Sequence, residues 1–316
     1  MADAERCDPW LADGKFFRAG VLRVRLEAVT YGPFPGGRPV SFEPDFRRIA
    51  AAGFNAIRLF EMADGRLLDA ARQCGLRVFS GLKWGHNADF FRRPELFEAA
   101  CGELVRALRE TAGHPALAGA YVANEVPTDL VRWMGPLRVR LALERLIALG
   151  RETAPDVLFA YANYPSTEYL EPENADFSAF NVYLEDPSAF RKYLKRLHHV
   201  AGDRPLVISE FGLDSHRHGL QRQAETLTWA AEISRQEETA GLTIYAWSDR
   251  WWNQGAEVTD WDFGLTDRNG NDKPALAALR QSTIHNLQST IPHSRSSSAP
   301  ATGATASASA CKRFLT

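Results

Sequence analysis

Two glutamates each close an apolar stretch of the chain. Glu125 follows the run at 121–124 and precedes a Val-Pro break, and Glu210 follows the run at 206–209. Two carboxyl groups that face one small cavity can divide the cleavage of a glycosidic bond, because one protonates the leaving oxygen while the other attacks the anomeric carbon. We therefore expect Glu125 to act as general acid/base and Glu210 as nucleophile of a retaining mechanism, if the fold brings them together.

Each acidic residue has a simpler explanation when it is taken alone. Glu125 stands before Val-Pro, where polar loop residues are common, so a surface turn would also account for it. Glu61 is a competing carboxylate, but Asp64 after it is typical of a helix N-cap, which favours a structural role for that segment. The combination of Glu125 with Glu210 is what favours catalysis.

Eight apolar runs of strand length alternate with segments of helical periodicity. The segment at 94–113, for example, carries a stripe of Leu, Phe and Ala and ends at Gly113. Further helices are expected to begin near residues 43, 64, 135, 186, 221 and 273. This alternation predicts a parallel sheet wrapped by helices. The predicted strands are 21–31, 54–60, 76–82, 117–123, 157–162, 177–182, 206–209 and 242–247.

Eight strand–helix units match the usual size of an α/β (β/α)8 TIM barrel, about 250 residues. A doubly wound open sheet is the alternative, and it would show a Gly-rich loop and a helix after its first strand. Here Pro33 and Pro35 oppose such a helix start. We assign residues 20–285 to a single barrel domain and 1–19 to an N-terminal extension. The Ser/Ala-rich segment 286–316 has little apolar surface, so we expect it to be disordered.

Reactive residues of a barrel lie at the carboxyl ends of its strands. At these ends, Arg58 would favour the ionised form of a nucleophile and Tyr183 would hydrogen-bond it. Asn124 would contact the 2-hydroxyl of a sugar, and Trp247 would stack on a pyranose ring. Further candidate substrate-binding residues are Tyr31, Trp84, His86, Asn87, Asn163 and Asp249. Three other tryptophans, Trp251, Trp252 and Trp261, follow the last predicted strand.

Arg58 also has a structural alternative. A guanidinium on an apolar strand is costly to bury without a partner, and an ion pair with Glu61 or Glu27 would satisfy it without any catalytic role.

Composition excludes several classes of function. The chain of 316 residues has a net charge of −2, which leaves little for the counterion release that drives nucleic-acid binding. The four cysteines are scattered without metal-site spacing, so we expect free thiols, no metal and no cofactor. The N-terminus lacks the pattern of a signal peptide, and no run reaches the roughly 18 apolar residues of a membrane span. We therefore expect a cytoplasmic protein whose partner is a carbohydrate.

Several motifs resemble clan A of the glycoside hydrolases, the retaining barrel enzymes. ANE (123–125) is similar to that clan's fourth-strand Asn-Glu, and ISEFG (208–212) to its seventh-strand Glu. IRLF (57–60), FNVY (180–183) and YAWSD (245–249) match its Arg, Tyr and Trp positions. Within the clan, the chain looks like stand-alone bacterial barrel domains related to family-two β-glycosidases and assigned to β-glucan or exopolysaccharide metabolism. It departs from both arrangements, since it shows no flanking β-sandwich and no attached glycosyltransferase.

The sequence is also compatible with other hypotheses. The protein is either a hydrolase or a transglycosylase, because both reactions share one glycosyl-enzyme intermediate. A catalytically silent carbohydrate-binding barrel is a second hypothesis, and the two glutamates speak against it. A barrel enzyme that uses Lys83 as a Schiff base is a third, and it leaves the glutamate pair unexplained.

Overall fold

The computed structural model describes residues 8–111, 113–253 and 255–289, and it confirms the predicted (β/α)8 barrel. Eight parallel strands, β4 to β11, follow one another around the barrel in chain order, and β11 pairs with β4 to close it. The strands are β1 (Trp10–Asp13), β2 (Phe16–Ala19), β3 (Leu22–Val24), β4 (Leu26–Thr30), β5 (Ala56–Arg58), β6 (Arg77–Gly81), β7 (Leu117–Asn124), β8 (Leu158–Asn163), β9 (Ser178–Asn181), β10 (Leu206–Phe211), β11 (Gly241–Ile244), β12 (Trp252–Asn253) and β13 (Ala256–Glu257).

Helices cover the outside of the barrel and begin close to the predicted positions. Asp64 caps α2 by accepting from the backbone N–H of Leu67 at 2.8 Å, and Asp186 caps α6 through Ala189 at 2.7 Å. Within the described residues no helix is long and apolar enough to cross a membrane. The helices are α1 (Glu43–Ala51), α2 (Gly65–Gln73), α3 (Pro94–Thr111), α4 (Thr128–Met134), α5 (Pro136–Thr153), α6 (Pro187–Ala201), α7 (Ser215–His218), α8 (Leu220–Gln236) and α9 (Pro274–Ser289).

The N-terminal segment differs from the predicted extension. Strands β1 to β3 form a separate antiparallel sheet, so the predicted first strand, 21–31, is divided between β3 and β4. Trp10 and Phe17 of this sheet are buried against Phe79 and Phe177, with ring centroids 5.9 and 5.6 Å apart respectively. The cluster includes residues from the starts of the barrel strands. The sheet therefore closes the amino-terminal end of the barrel and belongs to its core.

The C-terminal helix extends beyond the predicted end of the barrel. Helix α9 runs to Ser289, four residues past the predicted boundary at 285. The remainder of the Ser/Ala-rich segment, 290–316, lies outside the described residues, as do Cys7 and Cys311. Cys74 and Cys101 are free thiols.

Candidate active site

The two candidate carboxylates meet at the carboxyl end of the barrel. Glu125 directly follows β7 and Glu210 is the penultimate residue of β10. The Nδ2 atom of Asn181 donates to Oε1 of Glu125 at 2.8 Å and to Oε1 of Glu210 at 2.9 Å. The two Oε1 atoms are thus separated by at most the sum of these distances, about 5.7 Å. Strand ends that lie 85 residues apart in sequence share one site.

Glu210 is only 5% exposed and is held on both carboxylate oxygens. Nη1 of Arg58 donates to its Oε1 at 2.6 Å, and the hydroxyl of Tyr183 donates to its Oε2 at 2.8 Å. Arg58 itself is 1% exposed and also donates to the carbonyl of Ser209 and to Oδ1 of Asn124. Arg58 pairs with neither Glu61 nor Glu27, the two partners that a structural role would give it, because both glutamates pair with other arginines.

Asn181 is the residue of the site whose role the sequence did not predict. Its Oδ1 accepts a hydrogen bond from the hydroxyl of Ser209 at 2.7 Å. Because that acceptor is occupied, the amide is oriented with its Nδ2 towards the two glutamates. The available signal was its place as the last residue of β9, because polar side chains at the carboxyl ends of barrel strands face the site.

The backbone of Glu125 lies in the left-handed region, with φ of 49°. Two phenols hold the turn that follows it. The hydroxyl of Tyr161 accepts from the N–H of Val126 at 2.9 Å, and the hydroxyl of Tyr164 accepts from the N–H of Thr128 at 3.1 Å. A non-glycine residue in this conformation costs of the order of 1 kcal/mol or more and persists when its surroundings fix it.

Burial raises the pKa of Glu125, and the negative charge of Glu210 raises it further. The hydrogen bond from Asn181 and the charge of Arg58 act in the opposite direction but are weaker. Burial of the hydroxyl and the charge of Glu210 also raise the pKa of Tyr183, so this phenol stays protonated and donates. The two carboxyl groups thus have unlike surroundings, one beside a guanidinium and the other without such a partner.

A cavity of about 590 Å³ opens above the pair, within the usual size range of ligand sites. Trp84, His86 and Asn87, three of the candidate substrate-binding residues, line this cavity. Nε1 of Trp84 donates to the carbonyl of Val122 at 2.9 Å, which fixes the indole against β7. Burial lowers the pKa of His86, so its imidazole is neutral near pH 7 and offers a hydrogen bond to an uncharged hydroxyl.

Trp247 does not line this cavity. It is 1% exposed and packs in the core outside the barrel sheet, where the guanidinium of Arg48 lies 5.2 Å from its ring. Tyr245, Trp251 and Trp252 line the cavity in its place. Trp261 packs against Tyr245 with ring centroids 5.8 Å apart.

Three further predicted site residues have structural partners away from the pair. Oδ1 of Asn163 accepts from the hydroxyl of Thr167 at 2.7 Å, and the side chain is fully buried. Asp249 forms a buried ion pair with Lys273 at 3.0 Å. The hydroxyl of Tyr31 donates to Asp45 at 2.9 Å. Tyr31 lines a cavity that adjoins the main one.

Other chemistries find little support at this site. Among the described residues no group of three His, Cys, Asp or Glu side chains converges as a metal ion would require. Lys83 stands exposed at the cavity rim, whereas lysines that form Schiff bases are usually desolvated to release their proton.

Comparison with solved structures finds the same fold in a β-glucuronidase from Ruminococcus gnavus. Its complex with D-glucuronic acid aligns with a TM-score of 0.73 at 16% sequence identity, covering 87% of this chain and 52% of that chain. Its complex with uronic isofagomine gives a TM-score of 0.71 at 15% identity, covering 87% and 54% respectively. This chain therefore spans about half the length of that enzyme. No family model matches the sequence, and no curated protein is similar to it.

Proposed function

We propose that the protein is a retaining β-glycoside hydrolase in which Glu210 is the nucleophile and Glu125 the general acid/base. The observation that carries this proposal is the shared donor, Nδ2 of Asn181, which keeps one oxygen of each carboxylate within about 5.7 Å of the other. Retaining enzymes separate their carboxyl groups by about 5–5.5 Å, whereas inverting enzymes need about 6.5–9.5 Å to admit a water molecule.

The surroundings of Glu210 suit a nucleophile. Arg58 and Tyr183 compensate a buried negative charge while holding the carboxylate in one orientation. In the first step Glu210 attacks the anomeric carbon, and the bond from that carbon to the leaving oxygen breaks. Glu125 donates its proton to the leaving oxygen, so an alcohol departs and a glycosyl-enzyme remains.

The surroundings of Glu125 suit a group that must first donate and then accept a proton. Its pKa is raised partly by the charge of Glu210. Once Glu210 has become an ester in the glycosyl-enzyme, that charge is gone, and the pKa of Glu125 falls. The ionised Glu125 then accepts a proton from water, whose oxygen attacks the anomeric carbon and releases Glu210. A sugar hydroxyl in place of water would give transglycosylation through the same intermediate.

The remaining site residues provide substrate contacts. Asn124 lies beside both Arg58 and Asn181, where its amide can meet the hydroxyl next to the anomeric carbon. Trp84, His86, Asn87 and Tyr245 supply aromatic faces and hydrogen-bonding groups around the sugar. The structural likeness to β-glucuronidase supports a β-linked carbohydrate as the substrate.

Nucleophile rescue tests this proposal. Replacing Glu210 with Ala is expected to abolish turnover of activated aryl β-glycosides, and added azide is expected to restore it with an α-configured glycosyl azide as product. Glu125→Ala is expected to give the β-azide, because the intermediate still forms with a good leaving group. The control is Glu232→Ala, which removes an exposed glutamate from α8. Full activity of Glu210→Ala without azide would contradict the assignment.

A further inference from the structure

A second cavity of about 400 Å³ adjoins the catalytic one at the same end of the barrel. The two cavities share six lining residues, namely Pro33, Leu59, Phe60, Glu61, Lys83 and Trp252. They therefore form one continuous cleft. Neither Glu125 nor Glu210 is among the described residues that line the second cavity. Its occupant therefore cannot be the sugar unit whose glycosidic bond is cleaved.

The walls of the second cavity combine aromatic faces with hydrogen-bonding groups. Trp252 stands at the junction, 38% exposed, and its backbone N–H is fixed to the carbonyl of Pro33 at 3.0 Å. Phe34 is held by an edge-to-face contact with Tyr31 at 4.8 Å. Exposed aromatic rings suit the apolar face of a pyranose, and their rigidity limits the entropy lost on binding.

The charged groups around the second cavity are of two kinds. Each guanidinium nitrogen of Arg38 is engaged, because it donates to Glu61 at 2.8 Å, to Asp64 and to the carbonyl of Met62. It thereby fixes Glu61 as a hydrogen-bond acceptor in the wall. The ammonium of Lys83 has no hydrogen bond or ion pair with the part of the chain that the structure describes, and it lines both cavities. Lys83 thus offers a donor at the junction.

Most residues that line the second cavity come from the loop after β4, which stands two strands from β10 of Glu210 and three strands from β7 of Glu125. Going around the barrel from β10, which carries Glu210, the next strands are β11, β4 and β5. The loops after these three strands supply Trp252, Phe34 and Phe60. Glu125, which would protonate the departing group, comes from β7 on the other side of the catalytic cavity.

We propose that the second cavity is a subsite for an additional sugar unit of a β-linked oligosaccharide, on the side of the chain that remains bound in the glycosyl-enzyme. This inference rests on the proposed function and extends it. The substrate then has at least two sugar units before the cleaved bond. An enzyme of this kind releases oligosaccharides rather than single sugars.

Binding to a variant that cannot turn over substrate tests the subsite separately from the chemistry. Glu210→Ala would be titrated calorimetrically with glucose and with β-1,4- and β-1,3-linked gluco-oligosaccharides of two to five units. We expect affinity to rise about tenfold or more between one unit and two. Adding Phe34→Ala is expected to remove about tenfold of that gain, the size of one aromatic contact. Adding Trp133→Ala, an exposed tryptophan of α4 that lines neither cavity, is expected to leave it unchanged.

Affinity that does not increase with chain length, including absence of binding, would overturn the subsite. So would an equal loss from Phe34→Ala on glucose and on the oligosaccharides. In the active enzyme, an aryl β-disaccharide is expected to have a kcat/KM at least about tenfold above that of the matching aryl monosaccharide. Chain-length-dependent binding without azide rescue would support the subsite while contradicting the proposed function. Azide rescue together with equal kcat/KM for both aryl substrates would support the proposed function while contradicting the subsite.

Discussion

Glu125 and Glu210 share one hydrogen-bond donor, the amide nitrogen of Asn181. The other end of that amide is fixed by Ser209, so the donor has a defined direction. Two acidic groups this close repel each other when both are ionised, which favours one proton residing on the pair. Burial and the charge of Glu210 raise the pKa of Glu125, which favours that proton on Glu125.

Loss of the shared donor is expected to impair catalysis strongly. Asn181→Ala removes two hydrogen bonds to carboxyl groups, each worth about 1.5–3 kcal/mol. We expect kcat/KM for an aryl β-glycoside to fall by about 100-fold or more. The matched control is Asn269→Ala, an exposed asparagine of the turn at 267–271. A loss below about threefold in Asn181→Ala, with the fold intact by circular dichroism, would contradict the role assigned to this amide.

The pH dependence of kcat/KM is expected to report the raised pKa of Glu125. Glu125 must be protonated to act as an acid. Activity is therefore expected to fall as the pH rises through the pKa of Glu125, which lies above the ordinary value of 4.5. In Glu210→Gln the carboxylate that raises this pKa is gone, so the pKa of Glu125 should move down. Carbon-13 NMR of the glutamate carboxyl groups, assigned with Glu125→Gln, measures both values. An unchanged or increased pKa in Glu210→Gln would refute the electrostatic coupling.

Tyr161 is expected to act as a positioning residue for Glu125. Tyr161→Phe leaves the buried N–H of Val126 without its acceptor, at a cost of about 1–3 kcal/mol of stability. Because the proposed mechanism has Glu125 protonate the leaving group, we expect turnover of aryl glycosides with poor leaving groups to fall more than turnover of those with good ones. The control is Tyr193→Phe on α6, which loses a hydrogen bond to Glu168 instead. An equal loss of turnover for substrates with poor and with good leaving groups would show that Tyr161 has a structural role only.

Glu171 is expected to make stability depend on pH near neutrality. Burial raises its pKa to about 7, and Arg204 at 3.4 Å does not offset this. Below about pH 4.5 the carboxyl group of Glu171 is protonated in both the folded and the unfolded protein. Between that pH and about 7 it ionises only in the unfolded protein, so the free energy of unfolding falls as the pH rises. The total loss is on the order of 3 kcal/mol.

Urea unfolding at pH 5 and pH 8 measures this effect as a difference between variants. Glu171→Gln cannot ionise, so we expect it to gain stability over the wild type at pH 8 by more than at pH 5. The control is Glu173→Gln, an exposed glutamate nearby that pairs with Arg140 at the surface and is expected to change little. An identical difference at both pH values would show that Glu171 is ionised in the fold.

The barrel was predictable because its signals are local and repeated. Strands buried on both faces appear as continuous apolar runs, and capping residues such as Asp64 and Asp186 mark helix starts. The N-terminal sheet was missed because its strands have three or four residues, too few for a periodic pattern. Its hairpin signal, Gly14-Lys15, was present in the sequence, and Gly14 has the positive φ that a two-residue turn with Gly at its first position requires.

The candidate site was predictable only for residues whose positions follow from the ends of the strands. The positions of Glu125, Glu210 and Arg58 follow from their strands, and all three meet. The choice between Tyr245 and Trp247 does not, because β11 ends at Ile244 and side-chain alternation stops there. The link between the glutamates through Asn181 depends on hydrogen bonds of 2.8 and 2.9 Å that join three strands, which no local pattern encodes.

The antiparallel sheet that closes the barrel places the start of the described chain at the end remote from the cleft. Arg77 at the beginning of β6 donates to the carbonyl of Asp8 and anchors it there. An affinity tag or a solid support attached upstream of Asp8 would therefore leave the mouth of the barrel open to long, insoluble polysaccharides. Deletion of the chain up to residue 20 would instead remove Trp10 and Phe17 and expose the hydrophobic interior of the barrel.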